Sequence, residues 1–236
     1  MRPASPGTRL APAVQATRWQ WATVREVSRI SARIVIIRLE VENRLQHLPG
    51  QHYVVRLTAE DGYTASRSYS VASAPSDPLI ELCVERLQDG EVSGYLYDVL
   101  QPGDRVEVRG PIGGWFVWDA ATPALAIGGG TGVVPLVAMA RHAADVDRSE
   151  LLRLAVSGRS MAELPYSDEL SAHGATIAFT RTPGRRLQAD DLRPLLDGAQ
   201  VSYVCGSTGF AEAMSRAVVG LGYPESLIRV ERFGPS

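Results

Sequence analysis

The stretch that most constrains this chain runs from Ala124 to Pro135 and reads ALAIGGGTGVVP: a short apolar run, a knot of four glycines, then a proline opening a second apolar run. That order predicts a buried strand, a tight turn and a helix N-terminus, whose outward-facing backbone N–H groups suit a phosphate. It is not a P-loop, because no Gly-Lys-Ser/Thr follows. Nor is it the Rossmann G-x-G-x-x-G, whose third glycine would fall at Val133. A membrane span is the remaining rival: residues 120–140 carry no charge, and Gly128 and Gly132 form a G-x-x-x-G. Each glycine costs a helix about 1 kcal/mol relative to alanine. With Gly128, Gly129 and Gly130 in succession and Pro135 close behind, a strand–turn–helix phosphate loop is the better reading and no membrane span is expected.

A chain of 236 residues has room for two modest domains or one large one. Its 45% hydrophobic content is enough for a real core. A formal net charge of −2 gives no reason to expect nucleic acid or an acidic membrane surface. All 24 of its Lys+Arg residues are arginine, so an arginine at any one place says less than usual about that place. Cys83 and Cys205 lie far apart, in no C-x-x-C and no iron–sulfur spacing. Reduced thiols in a cytoplasm are the simplest expectation. His47, His52, His142 and His173 show no metal-ligand pattern, and no metal is expected. Residues 1–18 are rich in Pro, Ala and Thr without periodicity. They have no continuous apolar core and no twin arginine, so a disordered leader is expected.

From Trp21 onward, short β-branched and aromatic runs predict strands at 22–27, 33–41, 52–57, 69–72, 79–87 and 105–108, divided by turn residues such as Pro49-Gly50 and Pro102-Gly103-Asp104. Six such strands predict a small antiparallel barrel. A helix at 93–100 interrupts them, with Ser93 as its expected cap and Gly90 just upstream. On the strand Arg67-Ser68-Tyr69-Ser70, alternation puts Arg67 and Tyr69 on one face. An arginine can fork onto a diphosphate, and a tyrosine offers a flat face to an aromatic ring system. Taken alone, these four residues favour a half-buried strand with a surface arginine, and residues 90–93 an ordinary capped turn.

After a linker at 119–122 the period changes. Strands at 124–127, 152–156, 176–180, 201–205 and 227–230 alternate with helices near 134–144, 162–172, 189–196 and 209–221. This predicts a parallel sheet covered on both faces, with ligands beyond the carboxyl ends of its strands. Those ends carry the glycine loop, Ser157-Gly158-Arg159, Thr180-Arg181, Cys205-Gly206 and Glu231-Arg232-Phe233.

In order, RSYS at 67–70, GEVS at 90–93, GPIG at 110–113, GGGTG at 128–132 and Cys205-Gly206 resemble the ferredoxin–NADP reductase superfamily from Trp21 to the C-terminus. The resemblance implies a six-stranded antiparallel Greek-key flavin barrel at 19–118 and a five-stranded parallel α/β nucleotide domain at 122–236. It implies that Arg67 and Ser68 lie at the flavin phosphates, that Tyr69 packs on the isoalloxazine and that Ser70 bonds flavin N5. Gly90 and the backbone of Val92 and Ser93 would receive a pyrophosphate, which favours FAD over FMN. Gly130, Thr131 and Gly132 would hold the nicotinamide cofactor's pyrophosphate, with Cys205 and Gly206 beside the nicotinamide. Glu231 and Phe233 match an acid and an aromatic beside the flavin; for Phe233 a loose hydrophobic tail residue is an equal reading. Ser70, Cys205 and Glu231 are thus expected at the point of hydride transfer.

Ser157 and Arg159 follow the second parallel strand, where a 2′-phosphate would lie, Tyr166 is expected on the adenine, and Arg181, Arg185 and Arg186 are within the same region; NADPH is therefore expected over NADH. The implied activity is that of an FAD-dependent NAD(P)H oxidoreductase. It would act as a monomer, delivering electrons to a separate acceptor such as a ferredoxin, an oxygenase component or another redox protein, or to a small molecule. Two other readings stand beside it: a flavin reductase whose flavin dissociates, and a non-catalytic nucleotide-binding sensor or regulatory subunit.

Overall fold

Short alternating runs in the first half and longer apolar runs in the second build two sheets of different kinds. The computed structural model describes residues 17–181 and 184–234; the expected leader lies outside them except for Thr17 and Arg18. The first sheet comprises β1 (Gln20–Arg29), β2 (Ile34–Val41), β3 (His52–Thr58), β4 (Thr64–Ser70), β5 (Ile80–Glu85) and β6 (Arg105–Ile112). They are hydrogen-bonded in the order β4-β3-β6-β1-β2-β5, every pair antiparallel. The two edges meet where Val71 bridges Leu82, curling the sheet into the expected Greek-key barrel. Alternation on β2 sends Val35, Ile37, Leu39 and Val41 into the barrel core, each burial contributing about 1.5–3 kcal/mol. Helix α1 (Glu91–Asp98) stands between β5 and β6 in the chain and adds Val92 and Leu96 to that core.

The second sheet is parallel: β7 (Ala124–Gly129), β8 (Leu152–Gly158), β9 (Thr176–Phe179), β10 (Val201–Ser207) and β11 (Ile228–Phe233), in the order β11-β10-β7-β8-β9. Ala124 and Ala126 of β7 face one core with α2 (Val134–Asp145). Leu125 and Ile127 face the other with α4 (Ala189–Leu196) and α5 (Thr208–Gly220). A strand buried on both sides must read as a continuous apolar run, and β7 does. No helix among the described residues is long and apolar enough to cross a membrane.

The elements differ from expectation in four informative places. Strand β4 begins at Thr64, ahead of both the expected run at 69–72 and the strand read at Arg67–Ser70, because an edge strand tolerates the stretch Thr64–Ser66 that reads as loop in sequence. β6 continues to Ile112 through Gly110, where a Cβ would fall 2.5 Å from the Tyr53 ring; the glycine makes room for an aromatic instead of a turn. α1 starts at Glu91 with Gly90 as its cap, and Ser93 is inside the helix. Its hydroxyl is occupied, accepting from the Leu87 N–H at 3.2 Å and donating to the Gly90 carbonyl at 3.3 Å. The helix expected at 162–172 is a single 3₁₀ turn (Met161–Glu163) followed by α3 (Ser167–Ala172). Leu164, which precedes Pro165, is held extended, and Tyr166 takes a left-handed φ of 60°.

Candidate functional site

The parallel sheet winds one way from β7 to β9 and the other way from β10 to β11, so β7 and β10 lie side by side at its topological switch point. Sheets of this kind receive ligands beyond the strand ends at that point. Both flanking turns are glycine-built, for different reasons. Gly130 has φ +58°, which only glycine adopts without cost. At Gly132 a Cβ would meet the Cys205 carbonyl oxygen at 2.5 Å, so the turn lies backbone against backbone on β10. The Phe210 ring, near the start of α5, covers Gly129 and Gly206: a Cβ on either would come within 2.8 Å of it. Pro135 sits in the first turn of α2 and loses no helical bond by doing so.

Register places the side chains expected at the site. Cys205 on β10 pairs with Glu231 on β11 and with Gly128 on β7. In the barrel, the β3–β4 hairpin pairs Ser70 with His52. A cavity of about 130 Å³ joins the two halves, lined by Gly50, His52, Gly113, Gly114, Trp115, Phe116, Val230 and Glu231. Burial raises the Glu231 carboxyl to about 7. Its Oε2 is buried with no hydrogen-bond partner among the described residues. Burial, and then the nearby Arg109, lower the pKa of His52. Cys205 is fully buried; burial and then the Glu231 charge hold its pKa well above the ordinary thiol value, so it stays protonated and is no nucleophile.

Beside Ser70, which is buried, Tyr69 is half-buried and its hydroxyl has no partner among the described residues. Burial pushes that phenol upward. Arg67 and Ser68 are exposed; among the described residues the Arg67 guanidinium hydrogen-bonds only the Ser66 carbonyl, at 2.7 Å. At the start of α1 the N–H groups of Glu91, Val92 and Ser93 have no partner among the described residues. The Glu91 carboxylate is held aside by the Tyr63 hydroxyl at 3.0 Å. Unsatisfied N–H groups, an arginine without a carboxylate and an orphaned buried phenol are what a flavin with a pyrophosphate would complete, so these residues fit FAD.

Across the sheet, Ser157 is buried at the end of β8, and Arg159 is exposed with no ion-pair partner among the described residues. Arg181 is engaged by Glu163 at 2.6 Å, and Arg185 by Asp191 at 2.7 Å. Tyr166 does not stand at the strand ends. Its hydroxyl donates to Glu81 of the barrel at 2.9 Å and its ring lies under Arg141, so the expected adenine stacking is withdrawn. Phe233 is no loose tail: it pairs with Ser207 and packs on the core that β7 shares with α2. His52, Phe210 and Arg141 escaped sequence reading. The hairpin closes between Ala59 and Tyr63 over Glu60-Asp61-Gly62, with Gly62 at φ +88°, and this sets His52 opposite Ser70; a two-residue Asp-Gly turn would have set it opposite Val71. No sequence signal marks Phe210.

The sequence profile of the oxidoreductase FAD-binding domain family matches residues 21–117. The chain is 30% identical over 231 residues to the ferredoxin–NAD(P)(+) reductase component of naphthalene 1,2-dioxygenase/salicylate 5-hydroxylase systems from Ralstonia sp., covering 91% of this chain and 69% of that protein. It superposes on an Amycolatopsis cytochrome P450 reductase with a TM-score of 0.76 at 28% identity, covering 97% of this chain and 74% of that one. A ferredoxin NADP+ reductase from Neisseria gonorrhoeae with bound FAD and NADP shares the fold, with a TM-score of 0.77, 18% identity and coverage of 91% and 98%. The chain spans between 53% and 69% of the length of the first curated relatives it matches.

Proposed function

Because this chain belongs to the ferredoxin–NADP reductase superfamily and is an NAD(P)H-dependent flavoprotein reductase, we propose that it takes reducing equivalents from NADPH onto FAD and delivers them to a separate redox protein. The observation that carries this is the single crevice walled by His52, opposite Ser70 on the barrel, and by Glu231, beside Cys205 on the sheet. When bound, FAD supplies the bond chemistry, accepting a hydride and releasing electrons singly.

The chain's own residues bind, align and exclude water. We assign residues 19–118 to the flavin and 122–236 to the nucleotide. Arg67, Ser68, Gly90, Val92 and Ser93 hold the flavin phosphates, and Tyr69 gives the ring system its face. Gly130, Thr131, Gly132, Cys205 and Gly206 cradle the donor, with Ser157 behind them. Ser70 presents a hydroxyl at the reacting edge, and Cys205 shapes the floor as a neutral thiol. Glu231 can hold or release a proton at Oε2 near neutral pH, its pKa being about 7. Phe233 completes the wall.

NADPH is proposed over NADH because Arg159 has no carboxylate partner among the described residues, while Arg181 and Arg185 have theirs. An oxygenase component or ferredoxin is proposed as acceptor by likeness to the Ralstonia reductase component. We also propose a monomer in the cytoplasm, where the free thiols Cys83 and Cys205 stay reduced.

An anaerobic titration of the FAD-loaded protein with NADPH and with NADH tests the reading. Bleaching of the flavin band at lower NADPH than NADH is expected. A flavin that neither donor reduces refutes the activity, and a protein that purifies colourless and binds FAD only weakly refutes a resident flavin.

A further inference from the structure

The two domains are joined by a polar cluster that cofactor binding does not use. Glu81 on β5 is 8% exposed. Its Oε1 accepts from Arg141 Nη1 at 2.9 Å and from the Tyr166 hydroxyl at 2.9 Å, both from the nucleotide domain. Arg38 of β2 backs it from the barrel side, with Nε 3.7 Å from Oε2. Arg141 Nη1 also donates to the Ala72 carbonyl at 3.0 Å. On the opposite side Glu169 of α3 grips the same guanidinium twice, at 2.7 Å to Nε and 2.8 Å to Nη2. Beneath lies an apolar seam of Ile34, Ala72, Cys83 and Val134, with the Tyr166 ring packed on it.

The place of Arg141 in the chain gives the cluster its meaning. It stands on α2, the helix that the glycine loop opens, and Ala72 lies two residues beyond Ser70. One guanidinium therefore ties α2, which follows directly on the glycine loop, to the segment just beyond Ser70 and to β5. We propose that Arg141 is a positioning residue: Glu169 aims it, and its bonds to Ala72 and Glu81 set the separation between Ser70 and the glycine loop, and so between flavin and hydride donor.

The inference rests on the proposed reductase reading, but Arg141 touches neither cofactor in that reading. A planar fork with fixed donor directions suits such a task, as a flexible ammonium does not. A buried ion pair adds little net stability, because desolvating the charges offsets their attraction. Its stronger effect is on geometry, and a 1 Å misplacement of reacting groups can cost about a hundredfold in rate.

The test is anaerobic stopped-flow reduction of the FAD-loaded protein by NADPH, comparing wild type with Arg141→Met and Arg141→Lys. The limiting rate should fall about ten- to a hundredfold in Arg141→Met and less in Arg141→Lys. Flavin content and half-saturating NADPH should stay within about twofold, since the phosphate-binding turns are untouched. The charge-transfer absorbance formed on adding NADP+ to the reduced protein should weaken in parallel. A purely structural role would lower the melting temperature and leave the limiting rate and this band alone, and that result overturns the proposal. If Arg141→Met does not fold, Arg141→Lys decides, because it keeps the charge and loses the fork that reaches Ala72, Glu81 and Glu169 together: a rate about three- to tenfold lower is expected, and a wild-type rate overturns the proposal. Wild-type protein that NADPH does not bleach overturns the reductase reading, and this inference with it. Wild type that bleaches while Arg141→Met keeps pace overturns this inference alone.

Discussion

Glu231→Gln should make the flavin-free protein progressively more stable than wild type as pH rises from about 4.5 to about 7, the interval between the carboxyl's ordinary pKa and its folded value. Below that interval Glu231 is protonated in the folded and unfolded chains alike and costs nothing by ionisation. Within it, the unfolded chain releases the proton while burial keeps it on the folded one, so wild-type stability falls. Above about 7 both states are ionised and the penalty stays constant. The displacement from 4.5 to about 7 corresponds to roughly 2–3 kcal/mol at 1.36 kcal/mol per unit, after allowance for partial exposure. Ion-paired carboxylates such as Glu107 and Asp191, whose pKa values are lowered by Arg56 and Arg185, slope the other way at low pH. The difference between variant and wild type cancels them. Urea unfolding at pH 5, 6, 7 and 8 measures that difference, and a ¹³C titration of the Glu231 carboxyl reads the pKa directly. A difference that is flat across this range, or a carboxyl titrating near 4.5, would refute the desolvated Glu231 on which the neutral-pH proton site depends.

Tyr69→Ala should weaken FAD binding about tenfold, the upper end of what an aromatic stack contributes; fluorescence titration with FAD checks it, and unchanged affinity removes the stacking role. Gly132→Ala puts a Cβ 2.5 Å from the Cys205 carbonyl oxygen, a backbone clash that should cost about 1–3 kcal/mol of stability. A melting temperature equal to wild type would show that the loop does not lie against β10. Arg159→Ala should raise the KM for NADPH about tenfold, as expected for a lost charge-assisted phosphate contact, and leave that for NADH nearly unchanged. Equal effects on both would take the 2′-phosphate away from Arg159.

How legible the molecule was in its sequence depended on whether the information was local. The glycine turn was readable because a strand, a φ above zero and a helix start leave a consecutive record in residues 124–135. The first residues of β4, Thr64–Ser66, were not, because an edge strand needs no apolar alternation on its open side. Tyr166 was misread for a related reason. A tyrosine shortly after β8 stands at the right sequence distance for an adenine, but Pro165 and the left-handed turn at Tyr166 swing it to the barrel, where Glu81 takes its hydroxyl.

The sequence by itself determined the two kinds of sheet, the order of the glycine turns and the residue types at the strand ends, since hydrophobic period and turn chemistry act over a few neighbouring residues. Tertiary structure alone decided which of those ends share a crevice. His52 meets Ser70 and Cys205 meets Glu231 through strand register, a non-local property. The pKa of Glu231 is set by burial beneath segments far away in the chain. The hold of Arg141 on Ala72 and Glu81 spans 69 and 60 residues. Contacts of that range carry no local pattern, because their energy is released only when both domains are already formed and docked.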